Sequence, residues 1–275
     1  MSTSAIRRLR VALILGLGLA FAVAAGPAAA ISNGEPDGNG HPNVGALLAD
    51  FSGDGQITGD EAFCSGSLIS STVFLTAGHC VEFLEPEGFE TIYVSFDSAL
   101  LDANGPGTLI ATTTWAFDPA FYTSFRAAHD IGVVIVPAAA TVGITPVVLP
   151  AAGSLDAMKR AGELRSMLVR NVGYGVIPDW KRGPSRFEFD GNRNTSLSPV
   201  MSLTKTWLKL QMNNDSTGLG GVCFGDSGSP KFIEGTNSIV AITTGGDGNC
   251  RSLNYNYRLD TAEARAFLEP YVDLP

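Results

Sequence analysis

The chain alternates between short apolar runs and stretches rich in glycine and polar residues. Four of the runs have the length of a strand and are rich in Val, Ile and Thr, at Gly66–Leu75, Ile131–Val136, Met167–Val172 and Ser238–Thr244. Runs of this composition predict β-strands. Near the C-terminus, Asp260-Thr261-Ala262-Glu263 resembles a capping box and predicts a helix through about Leu268. The pattern therefore predicts an all-β protein with a short C-terminal helix.

The first thirty residues differ from the rest. Arg7, Arg8 and Arg10 precede an apolar run at Val11–Ala25, and small residues end in Ala28-Ala29-Ala30. This order is typical of a secretory signal peptide, which we expect at residues 1–30. A membrane anchor is the alternative, but the run is shorter than the roughly 20 residues that span a bilayer. We expect a secreted protein, extracellular or periplasmic, with no stable membrane association.

Without residues 1–30, the chain has 15 basic and 27 acidic residues, a net charge near −12. Such a charge favours solubility and argues against nucleic acid or anionic membrane as partners. The remaining length suits one two-lobed unit better than several modules, and we expect a monomer.

The most informative chemistry is the segment GVCFGDSGSP, Gly221–Pro230, in which glycines flank Ser227. A serine hydroxyl needs a neighbouring base and an orienting carboxylate to act as a nucleophile. His79 in Thr76-Ala77-Gly78-His79-Cys80 and Asp130 in His129-Asp130-Ile131 supply both, in the chain order His, Asp, Ser. His41 and His129 are assigned ordinary structural roles.

With these motifs the chain resembles the chymotrypsin/trypsin-type serine peptidases from Ile31 to about Tyr257. The resemblance implies two packed antiparallel six-stranded β-barrels, with the active site in the cleft between them. It places the N-terminal barrel at about 31–150 and the C-terminal barrel at about 151–275, with a crossing segment near 150–162. It also implies an endopeptidase that acts on proteins or peptides and requires no cofactor.

The same resemblance assigns the catalytic roles. Ser227 is the nucleophile, His79 takes its proton and Asp130 orients the imidazole. The N–H groups of Gly225 and Ser227 form the oxyanion hole. Ser229 stands where glycine is commoner in the family.

The resemblance further implies that a free ammonium of Ile31 pairs with Asp226. Signal cleavage after Ala30 would create that ammonium, so we expect the unprocessed chain to be folded but poorly active. The alternative is a cleavage point a few residues away, with Asp226 satisfied by hydrogen bonds alone.

The substrate pocket is expected to involve Gly221 at its base, Thr244, Gly245 and Gly246 on one wall, and Tyr255 near its floor. Gly221 stands where trypsin-like members carry an acid, so an uncharged substrate side chain is favoured. Tyr255 would shorten the pocket and favour small residues.

Four cysteines in an exported chain predict two disulfides, with three possible pairings. The family resemblance implies that Cys64 pairs with Cys80 and Cys223 with Cys250. Each bridge would then join one catalytic motif to a neighbouring segment.

A second pattern, from Asp50 to Glu61, follows the register of an EF-hand loop. Its candidate ligands for a structural calcium ion are Asp50, Ser52, Asp54, Gln56 and Glu61. Strand-like runs flank it at 44–49 and 63–69, where an EF-hand has helices. An acidic, solvated hairpin loop is the alternative.

The segment 178–220 is interpreted as an insertion, and 190–199 within it as an exposed loop, with no role assigned to its basic residues. A non-catalytic binding protein on the same fold is the main alternative function. An esterase is less favoured, because the GxSxG motif followed by Asp and His is absent.

Overall fold

The structure, a computed structural model, describes residues 31–102, 105–121, 129–179 and 186–275. The predicted signal peptide lies outside these residues. Within them, sixteen strands form two large sheets and one small hairpin, and all pairings within the sheets are antiparallel. Numbered along the chain, the strands are β1 (Glu35–Pro36), β2 (Val44–Leu48), β3 (Ala62–Leu68), β4 (Val73–Thr76), β5 (Ile92–Ser95), β6 (Ile110–Thr112), β7 (Trp115–Phe117), β8 (Gly132–Ile135), β9 (Leu168–Gly173), β10 (Ile177–Pro178), β11 (Phe187–Glu188), β12 (Asn194–Leu203), β13 (Trp207–Gln211), β14 (Pro230–Ile233), β15 (Ile239–Gly246) and β16 (Leu253–Arg258).

The C-terminal sheet closes on itself. Its order is β1-β12-β13-β16-β15-β14-β9, and β9 also pairs with β12, so six strands form a barrel with β1 attached to its edge. The N-terminal sheet has the order β6-β5-β2-β3-β4-β8-β7 and leaves β6 and β7 as its ends. The predicted all-β class and barrel architecture are confirmed, with a closed barrel in the second half and a curled seven-stranded sheet in the first.

The helices are short. In the part of the chain that the structure describes, the α-helices are α1 (His79–Glu82), α2 (Ser154–Ala161), α3 (Asn214–Thr217) and α4 (Ala262–Leu268), and short 3-10 helices lie at Gly59–Glu61, Ala138–Thr141 and Glu163–Arg165. The expected C-terminal helix is α4, whose N-cap is Thr261: its hydroxyl accepts a hydrogen bond from the N–H of Ala264 at 3.2 Å. Within the described residues, no helix is long and apolar enough to cross a membrane.

Three local predictions were wrong. The run Gly66–Leu75 is not one strand, because polar residues 70–72 form a turn between β3 and β4. The segment 178–220 is not an insertion, because it contains β12 and β13 of the closed barrel. The predicted exposed loop at 190–199 largely belongs to β12, the longest strand of the closed barrel. Its Ser196 and Ser198 are buried and accept hydrogen bonds from the side-chain amide of Asn171 at 3.1 and 2.9 Å. A polar strand can be buried when its side chains bond to one another.

Arg193, just before β12, joins the two halves of the molecule. Its side chain is 1% exposed and forms a salt bridge with Asp37 at 3.0 Å. Its guanidinium also donates to the backbone oxygens of Val44 on β2, of Phe96 just after β5 and of Gly38. Burial alone would raise the pKa of Asp37, but hydrogen bonds and charge from His41 and the bond from Arg193 lower it.

We predict that Arg193→Met destabilises the protein strongly. The change removes the guanidinium from the buried carboxylate of Asp37, which then keeps its contact with His41, and removing one partner of a buried pair costs about 3–5 kcal/mol. Urea unfolding of the purified protein measures the loss. The control is Arg170→Met, which breaks the partly exposed pair between Arg170 and Glu234 and should cost less than about 1 kcal/mol. Equal losses in the two variants would contradict the role given to Arg193.

Candidate active site

His79 and Asp130 meet where the first sheet ends. His79 is the first residue of α1, which follows β4, and Asp130 precedes β8, the neighbour of β4. The Nδ1 atom of His79 lies 3.0 and 3.1 Å from the two carboxylate oxygens of Asp130, and the backbone N–H of His79 donates to the same group at 2.9 Å. Asp130 is buried, whereas the imidazole is 36% exposed. The buried carboxylate therefore fixes the ring while the other ring edge remains accessible.

The loop that carries Ser227 packs directly against the histidine motif. A Cβ on Gly228 would meet the hydroxyl of Thr76 and would lie 2.7 Å from the N atom of Ala77. The backbone oxygen of Ser227 accepts a hydrogen bond from the N–H of Ser65 on β3 at 2.8 Å. These contacts bring the serine loop against the segment that leads into His79.

Gly225 has the backbone conformation that an oxyanion loop requires. Its φ is +92°, a region that favours glycine, and a Cβ there would lie 3.1 Å from Cα of Gly175. Among the described residues, the N–H groups of Gly225 and Ser227 have no hydrogen-bond acceptor. Two such donors two residues apart can bind a substrate oxyanion.

Ser65 supports this loop, and the sequence reasoning did not identify it. Its hydroxyl donates to the backbone oxygen of Gly225 at 2.9 Å and accepts from the N–H of Tyr174 at 3.0 Å. A serine between Cys64 and Gly66 carries no recognisable signal in the sequence. Its role depends on the second barrel packing against the first.

The two disulfides are those implied by the family resemblance. Cys64 is bonded to Cys80, which joins β3 to α1, and Cys223 is bonded to Cys250. Among the described residues, one group of three potential metal ligands lies within 4.8 Å of one another, and it consists of Cys64, Cys80 and His79. Because both sulfurs are in the disulfide, this group offers no thiolate to a metal.

Asp226 is fully buried behind the serine loop. Its carboxylate accepts hydrogen bonds from the N–H of Gly175 at 2.9 Å and of Cys223 at 2.8 Å. Ile31 is also fully buried, and the next residue, Ser32, pairs with Gly221. A hydrogen bond from Ile31 to Asp226 is not found among the described residues, so the pair between them stays a prediction.

A pocket of about 280 Å³ opens beside Ser227. Of the predicted pocket residues, Thr244, Gly245 and Gly246 line it. The lining is completed by the Cys223–Cys250 disulfide, Val222, Phe224, Thr243 and Asp247. Asp247 is the one acid on this lining, and its carboxylate accepts hydrogen bonds from the backbone N–H groups of residues 251–253.

Two predicted pocket residues are not on this lining. Tyr255 faces away from the barrel interior: it packs against Trp207, and the ammonium of Lys209 lies 4.9 Å from its ring centre. Because successive strand residues face opposite sides, the buried Asn254 and Asn256 take the inward positions. At Gly221, the side chain of Met212 occupies the space that a Cβ would need. The placement of Tyr255 near the pocket floor was therefore wrong.

The acidic loop lies between β2 and β3, as the flanking runs predicted. Asp50 accepts hydrogen bonds from the N–H groups of Gly53 and Gly55, both at 2.7 Å, and the bond from Gly55 is the main cause of its lowered pKa. Glu61 accepts from the N–H groups of Ser52 and Thr58. The carboxylates thus hold the loop backbone, and in the described residues they do not converge on one point. Calcium binding by Asp50, Ser52, Asp54, Gln56 and Glu61 stays a prediction.

The remaining histidines have structural partners. Nδ1 of His41 contacts Asp37 at 2.5 Å, and Nδ1 of His129 contacts Asp118 at 2.8 Å. Neither pair belongs to the group formed by His79 and Asp130. The structural roles expected for His41 and His129 agree with these contacts.

The comparisons with known proteins agree with this geometry. A family model described as Trypsin matches residues 40–265. Brachyurin from Leptuca pugilator is 29% identical over 203 residues, which is 72% of this chain and 78% of that protein. A solved structure titled HL collagenase covers 87% of this chain and 98% of its own, with a TM-score of 0.61 at 15% identity, and supports the fold. The chain belongs to the trypsin family and is a serine endopeptidase, whose substrates are proteins or peptides.

If the acidic loop binds calcium, we predict that chelation lowers the melting temperature of the wild-type protein. An ion that binds only the folded state stabilises it by mass action. Asp54→Ala with Glu61→Ala should remove the difference between calcium and chelator. The control is Glu85→Ala with Glu87→Ala, which removes two exposed acids outside the loop and should retain the difference. The same wild-type melting temperature in calcium and in chelator would show that the loop is only acidic.

Proposed function

We propose that the protein is an exported endopeptidase that cleaves peptide bonds through His79, Asp130 and Ser227 and an acyl-enzyme intermediate. The observation that carries the proposal is the buried carboxylate of Asp130 on Nδ1 of His79, beside a serine loop in which the N–H groups of Gly225 and Ser227 have no acceptor among the described residues. In this mechanism Ser227 attacks the substrate carbonyl and His79 takes its proton. The proton then goes to the leaving amine, and water repeats the sequence to release the acid.

The charges in these steps fall on groups suited to hold them. The imidazolium of His79 forms next to the carboxylate of Asp130, which stabilises it. The oxyanion of the tetrahedral intermediate faces the N–H groups of Gly225 and Ser227, and losing one such donor typically costs about 100- to 1000-fold in turnover.

We predict that Ser227→Ala lowers kcat for peptide hydrolysis by a factor on the order of 10⁶, because the attacking oxygen is lost while the disulfides and sheets remain. His79→Ala should be nearly as severe. Ser202→Ala, which changes an exposed serine on β12, is the control and should retain full turnover.

A serine-directed phosphonate distinguishes the enzyme from a non-catalytic binding protein. It should label wild type and Ser202→Ala stoichiometrically and leave Ser227→Ala unlabelled. Clean wild-type protein that is neither labelled nor active would favour the binding protein.

We infer a preference for uncharged substrate side chains from the pocket beside Ser227. Its walls are glycine, a disulfide and the apolar Val222 and Phe224. Asp247 lies on the lining, but three backbone N–H groups already bind its carboxylate. A buried ammonium or guanidinium would therefore find no free carboxylate there.

Profiling with a peptide library should show weaker cleavage after Lys or Arg than after uncharged residues. Asp247→Asn should leave this order unchanged, because the asparagine oxygen can still accept the two bonds from residues 252 and 253 that hold the loop, and only the bond from residue 251 is lost. A dominant Lys or Arg preference that Asp247→Asn abolishes would show that Asp247 binds substrate.

We also propose that export produces the mature enzyme. Cleavage after Ala30 would free the ammonium of Ile31, which could then pair with Asp226. In support, Ile31 is buried with a φ of +68°, a conformation that costs a β-branched residue energy. Cutting the preceding peptide removes that restriction. N-terminal sequencing of the secreted protein checks the start at Ile31.

A further inference from the structure

Lys231 is a lysine with no exposed surface, in the interior of the closed barrel. It lies on β14, shortly after the serine loop. Its Nζ donates a hydrogen bond to the hydroxyl of Ser229 at 3.1 Å, and that hydroxyl lies 2.8 Å from Oγ1 of Thr243. Lysine is almost never fully buried unless it is paired. The ammonium therefore requires an anion in the same interior.

Asp226 is that anion. Burial lowers the pKa of Lys231, and the charge of Asp226 opposes this shift. Burial likewise raises the pKa of Asp226, against the hydrogen bond from Cys223 and the charge of Lys231. Each group thus favours the charged form of the other.

The two charged groups are linked through Ser229. A Cβ on Gly173 would contact Oδ1 of Asp226 and would lie 3.2 Å from Cβ of Ser229. The side chains of Asp226 and Ser229 are therefore neighbours. The N–H of Ser229 also donates to the backbone oxygen of Asp226 at 2.9 Å. In the described part of the chain the two charges form no direct salt bridge. The hydroxyl of Ser229, where glycine is commoner in the family, therefore binds the ammonium of Lys231 to a residue that is a neighbour of Asp226.

We propose that Lys231 is a positioning residue that supplies a resident counter-charge for Asp226. Its ammonium keeps the carboxylate ionised and in place even where the chain has no free ammonium at Ile31. Because Asp226 lies between Gly225 and Ser227, part of the order of the oxyanion loop is then kept in the unprocessed chain, which would be less inactive than the family resemblance implies. The proposal rests on the function proposed above for that loop. It adds that processing of the N-terminus and Lys231 act on the same carboxylate and partly replace each other.

The test compares four proteins: chains that begin at Ile31 or at one alanine placed before it, each with Lys231 or with Lys231→Met. In the extended chain we expect Lys231→Met to lower kcat/KM by at least about tenfold, mainly through kcat, because Asp226 has lost both cations. In the chain that begins at Ile31 the same change should cost less than about threefold. Lys209→Met, which removes a lysine from the surface of Tyr255, is the control and should have no effect in either chain.

Two further measurements keep the test decisive. Hydrogen exchange of the peptide that covers residues 223–229 should accelerate only in the extended Lys231→Met protein, and this readout needs no activity. Ser229→Ala removes the hydroxyl that binds Nζ of Lys231. It should lower kcat/KM and accelerate hydrogen exchange in the extended chain, as Lys231→Met does, and it replaces that variant if Lys231→Met does not fold. Equal effects of Lys231→Met in both chains, or none in either, would overturn the proposal. If all chains lacked both activity and phosphonate labelling, the proposed function would be refuted instead. Hydrogen exchange would then still decide the role of Lys231.

Discussion

The carboxylate of Asp226, which has no access to water, is the constraint on which the active-site region depends. A buried carboxylate is costly unless hydrogen bonds and a cation compensate it. The N–H groups of Gly175 and Cys223 supply two bonds, and Gly173 and Gly175 leave it space, since a Cβ on either would contact its oxygens. Whatever holds this carboxylate also holds the residues on either side of it.

The interior of the closed barrel contains many buried polar side chains. Asn171, Ser196 and Ser198 bond to one another across β9 and β12. Beside them, Lys231 on the neighbouring strand β14, Ser229 just before that strand and Thr243 on β15 form a second group that reaches towards Asp226. A polar interior can accept a charged lysine because its hydroxyls and amides replace part of the water that the charge has lost.

The two halves of the molecule act together because specific hydrogen bonds cross between them. Ser65 of the first sheet contacts the backbone of Gly225 and Ser227 in the second half. Arg193 of the second half donates to the backbone oxygens of Val44 and Phe96 of the first half and binds Asp37. The serine loop and the first half, which carries the histidine, are therefore held together by contacts that span more than a hundred residues of sequence.

The amino-acid sequence alone determined the all-β class, the cysteine pairs through the family resemblance, and the motifs around His79, Asp130 and Ser227. Those features are local, because strand periodicity and short motifs are written in neighbouring residues. Only the tertiary structure decided that the polar stretch before Pro199 is a buried strand and that Tyr255 faces away from the pocket. It also revealed Ser65, Arg193 and Lys231, which look like ordinary polar residues in the sequence. Their roles depend on which distant groups the sheets bring within hydrogen-bonding or electrostatic range, and that is set by strand register and barrel closure.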